Sequence, residues 1–291
     1  MSESVISTFS TLTTFTAADG ENLAVQDWPL PEGRPRRGTV LLVHGLGEHV
    51  GRYDALARRL NQWGFAVRGY DQYGHGESAG ARGGLTGDTR LLGDLADLVD
   101  ATRARMPQGH PLVLLGHSMG GLVAARFVAL DLRPVEALVL SSPALDPGLS
   151  PVQKLLLATL PRIAPNLRVG NGLDAQYLSH DPRVPAAYRA DPLCHDRISG
   201  RLARFIATAG PATVASAAQW QLPTLLMWAG SDRLVNPAGS RAFAAAAPQG
   251  VVQSHCFEPL FHEIFNESPE LAEPVFDMLR RWLVQRFPLQ G

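Results

Sequence analysis

The stretch whose reading decides the fold is Leu112–Leu130, LVLLGHSMGGLVAARFVAL. Leu112–Leu115 is a short continuous apolar run, the pattern of a strand buried on both faces. From Met119 onward, small and apolar residues continue for the length of a helix. Between the two lies a polar turn, Gly116-His117-Ser118-Met119-Gly120-Gly121. Glycines at such a bend point to a backbone too crowded for a Cβ atom. A serine there is either an ordinary helix N-cap or a nucleophile lifted on a strained strand-to-helix turn. The pattern G-x-S-x-G set between strand and helix favours the nucleophile, Ser118. The helix start beneath it adds free N–H groups and a positive dipole, suited to a developing oxyanion.

Working outward, strand-like and helical segments alternate. Thr11–Thr16 and Leu23–Trp28 flank the turn ADGEN and predict an opening hairpin. Thr39–Val43, Phe65–Tyr70, Ala137–Ser141, Thr224–Ala229 and Val251–Phe257 read as further strands. Tyr53, Leu56, Ala57 and Leu60 share one helical face, closed by Gly64, and Leu91 to Met106 carry a second helical stripe ending at Pro107. Leu271–Phe287 predicts a last amphipathic helix. This alternation implies an α/β fold, with a mostly parallel, doubly wound sheet covered on both faces. The interval from Ser141 to Thr224 breaks the rhythm and is too long for a structureless loop. Residues 1–145 and 218–291 are therefore expected to form the core, with 146–217 inserted as a helical cap.

A neutral serine needs a base oriented by a carboxylate. With a G-x-S-x-G elbow the chain order is Ser, then Asp or Glu, then His. Four histidines follow Ser118: His180, His195, His255 and His262. His255 falls inside a predicted strand, and His180 and His195 in the cap. His262, in the loop EPLFHEIFNE after the last strand, is the favoured base. Asp232, just beyond Thr224–Ala229, is the favoured acid, and Asp146 in SSPALD is its rival. Asp71 precedes the serine and is expected to hold loop geometry instead. The turn HGLG after Thr39–Val43 places the backbone N–H of Leu46 to converge with that of Met119, a two-donor oxyanion hole worth about 10²–10³ in rate per donor.

Composition excludes several classes. Charged residues are 18% of the chain and the net charge is −1, so no basic field for nucleic acid exists. The two cysteines, Cys194 and Cys256, have no metal-like or disulfide-framework spacing, and no metal or other cofactor is expected. A serine nucleophile argues against the aspartate chemistry of haloalkane and epoxide hydrolysis. GHSMGG lacks the Lys-Ser/Thr ending of a phosphate loop. The N-terminal residues show no signal-peptide pattern and no run spans a bilayer, so a cytoplasmic location is expected.

The motifs HGLGEHVGRY, YDQYGHGES, GHSMGG, LSSPAL, GSDRLV and FHEIFNE, in this order from His44 to Glu267, resemble the monoacylglycerol lipase and lysophospholipase group of serine α/β-hydrolases. The resemblance covers most of the chain. It implies a triad of Ser118, Asp232 and His262, oxyanion amides at Leu46 and Met119, and glycerol contacts at Glu48 and Arg52. It extends to a cap tyrosine matching Tyr188, a mobile cap with an apolar acyl tunnel, and a small lipid ester as the partner. Val152, Leu155, Leu156, Leu160 and Ile163 share a helical face that would suit that tunnel or weak contact with a lipid surface. The activity implied is hydrolysis of a monoacylglycerol through an acyl-serine. A lysophospholipase or short-chain carboxylesterase is the alternative, and a non-catalytic ligand-binding member a more distant one.

Overall fold

The structure is a computed structural model and describes residues 10–146, 148 and 164–289. The eight strands of its main sheet are β1 (Thr11–Thr16), β2 (Asn22–Trp28), β3 (Gly38–Val43), β4 (Phe65–Tyr70), β5 (Leu112–His117), β6 (Ala137–Ser141), β9 (Thr224–Ala229) and β10 (Val252–Phe257). Their spatial order is β1-β2-β4-β3-β5-β6-β9-β10. β1 and β2 pair antiparallel, as do β2 and β4, while every other pairing is parallel. The helices are α1 (Asp54–Gln62), α2 (Arg90–Arg103), α3 (Met119–Ala129), α4 (Arg183–Ala190), α5 (Gly200–Ala215), α6 (Pro237–Ala246) and α7 (Pro269–Arg286).

The period-2 alternation of the strands sorts the core into two faces. Val40, Leu42, Val113, Leu115, Val139 and Met227 face one way, against Leu56 and Leu60 of α1 and Val275 and Leu279 of α7. Leu41, Val43, Leu114, Leu138, Leu140 and Leu226 face the other way, against Leu95 of α2, Leu122 and Phe127 of α3, and Phe243 of α6. Helices on both faces leave these strands no solvent side, which is why they read as unbroken apolar runs.

From β3 the chain steps outward to β4 and then returns across β3 to β5. This reversal opens a crevice beyond the C-terminal ends of the parallel strands, where doubly wound sheets place their ligands. The loops after β3, β5, β9 and β10 all leave from that edge. They carry Leu46, Ser118, Asp232 and His262.

The interval before Thr224 holds structure that the apolar pattern did not reveal. Two short strands, β7 (Arg168–Gly170) and β8 (Arg197–Ser199), pair antiparallel as a separate ribbon. α5 packs on α3 and α6, and its Leu202, Phe205 and Ala209 join the same apolar cluster as the sheet. The helical face predicted for Val152 to Ile163 lies outside the described residues.

Candidate active site

Ser118 stands between β5 and α3 with φ 54° and ψ −121°, a conformation an L residue adopts only under constraint. The glycines around it have a packing reason. A Cβ on Gly120 would overlap the carbonyl oxygens of Val43 and His44, and one on Gly116 would lie 2.7 Å from the Cα of Gly121. Strand end and helix start are in contact there, so the turn cannot widen. The Ser118 N–H donates to Ser141 O (3.0 Å), and Ser118 O accepts from Leu122 and Ala144 (3.0 Å each), fixing the elbow on β6 and α3. Met119 opens α3, so its N–H is one that a helix's first turn leaves without an intrahelical acceptor.

The structure brings Asp232 and His262, the expected acid and base, together. His262 Nδ1 lies 2.6 Å from Asp232 Oδ2, and both side chains are buried. The other carboxylate oxygen, Oδ1, accepts the N–H groups of Leu234 (2.8 Å) and Val235 (3.0 Å), which fixes the carboxylate plane. Burial works against the charged form of both partners, but their mutual attraction wins: the imidazole is raised above its ordinary value and the carboxyl lowered. Because Nδ1 is the nitrogen held by Asp232, Nε2 is left for the cavity that His262 shares with Ser118. The rival acid, Asp146, is engaged elsewhere, accepting from Asn236 Nδ2 at 2.7 Å. His180 bonds Glu267 (2.8 Å), and His255 is exposed on β10. Asp71 accepts the N–H groups of Val50 and Glu77 (2.8 Å each), the loop-holding part expected of it.

The loop after β3 abuts the elbow, since a Cβ on Gly45 would sit 3.1 Å from Ser118 Cβ. Three braces hold it. Glu48 Oε1 accepts the Gly45 N–H (2.6 Å) and the Tyr53 hydroxyl (2.6 Å). Gly47 O accepts the Tyr188 hydroxyl (3.0 Å) and the His195 N–H (2.9 Å). His44 donates from Nδ1 to Gly45 O (2.8 Å) and accepts the Gln72 N–H on Nε2 (2.8 Å), which defines its tautomer.

Glu48, Arg52 and Tyr188, for which the resemblance implies glycerol contacts, line the cavity at Ser118 and already have partners within the protein. Arg52 bridges Glu48 (2.5 Å) and Glu263 (2.6 and 2.8 Å), and its guanidinium lies 5.1 Å from the Tyr188 ring centre. Burial alone would raise the Glu48 carboxyl, yet Arg52 beside it holds it down at about 2. Glu263 escaped the sequence reading. Its one signal is its place beside His262, because its partner Arg52 is 211 residues away. His117 was also missed: its ring packs 4.7 Å from that of His262 and its Nδ1 lies 3.0 Å from Ser141 Oγ. Burial first, then the neighbouring His262, push His117 down to about 3, so it is neutral wherever His262 titrates. Glu267, buried, accepts the Phe261 N–H (2.8 Å) and anchors the histidine loop.

Next to Ser118 and His262 lies an apolar cavity of about 210 Å³, walled by Leu46, Met119, Ile198, Ile206, Leu234 and Val235. Among the described residues one group of mixed metal-ligand type converges, His49, Asp191 and Cys194, whose positions gave no metal-like spacing in the sequence.

A serine elbow, then an acid, then a histidine, each at the end of a strand in a doubly wound sheet, define an α/β-hydrolase. Comparison with known proteins narrows the class. The family model described as serine aminopeptidase, S33, matches residues 34–269, and the chain belongs to this family of hydrolases. It is 36% identical over 273 residues to a monoacylglycerol lipase of Mycolicibacterium smegmatis, spanning 93% of this chain and 95% of that protein. A phospholipase of Bacillus subtilis, YtpA, is 33% identical, with 89% of this chain and 99% of that protein covered. The crystal structure of Paleococcus ferrophilus monoacylglycerol lipase superposes with a TM-score of 0.80 at 34% identity, over 90% of this chain and 98% of that one. No helix among the described residues is long and apolar enough to cross a membrane.

Proposed function

We propose that this chain is a monoacylglycerol lipase that works through an acyl-serine. The observation supporting the reading is the 2.6 Å bond between His262 Nδ1 and Asp232, which leaves Nε2 free in a histidine that lines the same cavity as Ser118. His262 Nε2 takes the Ser118 hydroxyl proton as Oγ bonds to the ester carbonyl carbon. Asp232 stabilises the imidazolium, and the N–H groups of Leu46 and Met119 receive the oxyanion. Collapse of the tetrahedral adduct breaks the bond to the glycerol oxygen, which leaves with the proton from His262. Water then attacks the acyl-serine, gives its proton to His262, and the fatty acid departs as Ser118 recovers it.

Two cavities suit the two halves of such a substrate. The apolar one accepts an acyl chain, while the smaller one, about 50 Å³, carries Glu48, Arg52, Tyr188 and Glu263 near the leaving alcohol. A peptide amino terminus fits this end poorly. Glu48 and Glu263, the carboxylates that would receive an ammonium, are both paired with Arg52. The YtpA likeness favours a second reading, a lysophospholipase with the same machinery.

We take residues 146–217 to cover the crevice as a cap. Leu167, Val169 and Leu173 expose 53%, 49% and 41% of their surface beside Arg168, a face suited to weak contact with a lipid surface. Cys194 and Cys256 are unpaired, in keeping with a reducing compartment such as the cytoplasm. A rate panel of monoacylglycerols, lysophospholipids and p-nitrophenyl esters tests the substrate. Monoacylglycerols should give the highest kcat/KM, and Ser118→Ala should lower it by about 10⁴-fold or more. A lysophospholipid ranking first overturns the monoacylglycerol reading, and an active Ser118→Ala variant overturns the catalytic one. Failure to float with liposomes would dismiss the lipid contact.

A further inference from the structure

At the loop after β3, two distant segments bring three different donor atoms together. His49 comes from the loop after β3, and Asp191 and Cys194 from the turn after α4. One ligand atom from each lies within 4.8 Å of the other two. His49 Nε2 and Asp191 Oδ2 are 2.9 Å apart. A hydrogen-bonded tether between the two segments would need only that pair. The convergence of the Cys194 thiol on the same point is what the tether leaves unexplained.

We propose that His49, Asp191 and Cys194 bind one divalent cation of zinc type, which clips the oxyanion loop to the turn after α4. Imidazole, carboxylate and thiolate together are a donor set of borderline softness, suited to zinc or cobalt over magnesium or calcium. With Zn–N of about 2.0 Å and Zn–S of about 2.3 Å, tetrahedral geometry requires donors roughly 3.3–3.6 Å apart. The observed donors need shifts of an ångström or so to comply. The turn is built to hold two of them: Cys194 N–H donates to Asp191 O (3.1 Å), and Leu193 N–H donates to Asp191 Oδ1 (2.9 Å). The second bond orients the carboxylate and leaves Oδ2 for the ion, the outer-shell support that ligating carboxylates ordinarily have. All three side chains are partly exposed, so an ion can enter, and water completes the fourth position. On binding, the Cys194 thiol loses its proton to solvent and the Sγ–metal bond forms, with no change of oxidation state.

The same two segments already meet at the active site, where Gly47 O accepts from Tyr188 and His195. An ion there would stiffen the scaffold of the Leu46 amide without touching substrate.

Cobalt is the probe for the test. Titrating the purified chain with Co²⁺ should saturate at one equivalent and produce a near-ultraviolet thiolate-to-metal charge-transfer band, abolished by excess Zn²⁺. Cys194→Ser should lose the band and weaken binding by about 10²-fold, and His49→Gln should weaken it comparably, while Cys256→Ser should keep the band. Thermal unfolding should move upward with Zn²⁺ in the wild type and stay fixed in Cys194→Ser. Hydrolysis of a p-nitrophenyl ester in the absence of metal verifies that Cys194→Ser is folded. A wild type without the band, a band that survives Cys194→Ser, or a band lost only in Cys256→Ser would each overturn the site.

Discussion

Replacing Asp232 with Asn tests the triad most sharply, because the structure dictates how the new amide must sit. Asp232 Oδ1 receives the N–H groups of Leu234 and Val235, so the amide carbonyl takes that place. The NH₂ group is then left facing His262 Nδ1, where Oδ2 stood at 2.6 Å. An NH₂ group donates only, so Nδ1 must accept and the ring proton moves to Nε2. In the proposed mechanism that nitrogen takes the Ser118 proton, which it can no longer do once protonated. The wrong tautomer in a serine triad costs roughly 10⁴-fold in kcat, about 5.4 kcal/mol of barrier. KM should change little, since Asp232 lies behind the histidine. The pH profile should move as well. Wild-type His262 is raised, and catalysis needs it neutral, so the acid limb of kcat/KM should lie above about pH 6.5. Without the Asp232 charge, burial remains to push the imidazole down, and the residual activity of Asp232→Asn should have its acid limb lower than wild type. The assay is hydrolysis of a soluble p-nitrophenyl ester from pH 5 to 9. A variant within tenfold of wild type, or an Asp146→Asn variant that is inactive while Asp232→Asn works, would refute the assignment.

Tyr188→Phe removes the hydroxyl that holds Gly47 O, a bond worth about 0.5–1.5 kcal/mol, so kcat should fall about 2- to 13-fold with KM nearly constant. A raised KM at unchanged kcat would assign the hydroxyl to substrate binding instead. Gly120→Ala puts a Cβ into the carbonyl oxygens of Val43 and His44, backbone that cannot swing aside, and should cost about 1–3 kcal/mol or more. Its denaturant midpoint and activity should fall together, and a wild-type midpoint would contradict the contact. Ile206→Trp fills the apolar cavity and should lower kcat/KM for a long-chain p-nitrophenyl ester about 10-fold relative to the butyrate ester. An unchanged ratio would place the acyl chain elsewhere.

The chemistry was more legible in the sequence than the specificity, and the reason is where each kind of residue sits. Ser118, Asp232 and His262 stand just beyond strand ends, so a local signal of apolar run, turn and polar residue locates each one, and the chain order supplies the grouping. The glycine at 120 belongs to the same local code, because the contact it permits, between α3 and the end of β3, recurs wherever an elbow is this tight. Glu48, Arg52 and Tyr188 drew attention only through the resemblance, which casts them as glycerol contacts. In the structure they are also braces: Glu48 holds the Gly45 N–H, Tyr188 holds Gly47 O, and Arg52 joins Glu48 to Glu263. No periodicity announces such bonds, since Arg52 and Glu263 are 211 residues apart, and His49 and Asp191 are 142 apart. The ribbon of β7 and β8 was missed for a related reason: strands of three residues, with β7 exposed throughout, are too short to show an apolar alternation. The oxyanion loop joins the two cases. The donor proposed there is a backbone N–H at Leu46, indifferent to the side chain, so its position is read only through its neighbours. His44 and Gly47 are held from distant segments, by Gln72 and by Tyr188 and His195, while Glu48 holds Gly45 within the loop, so only part of this bracing could be read locally.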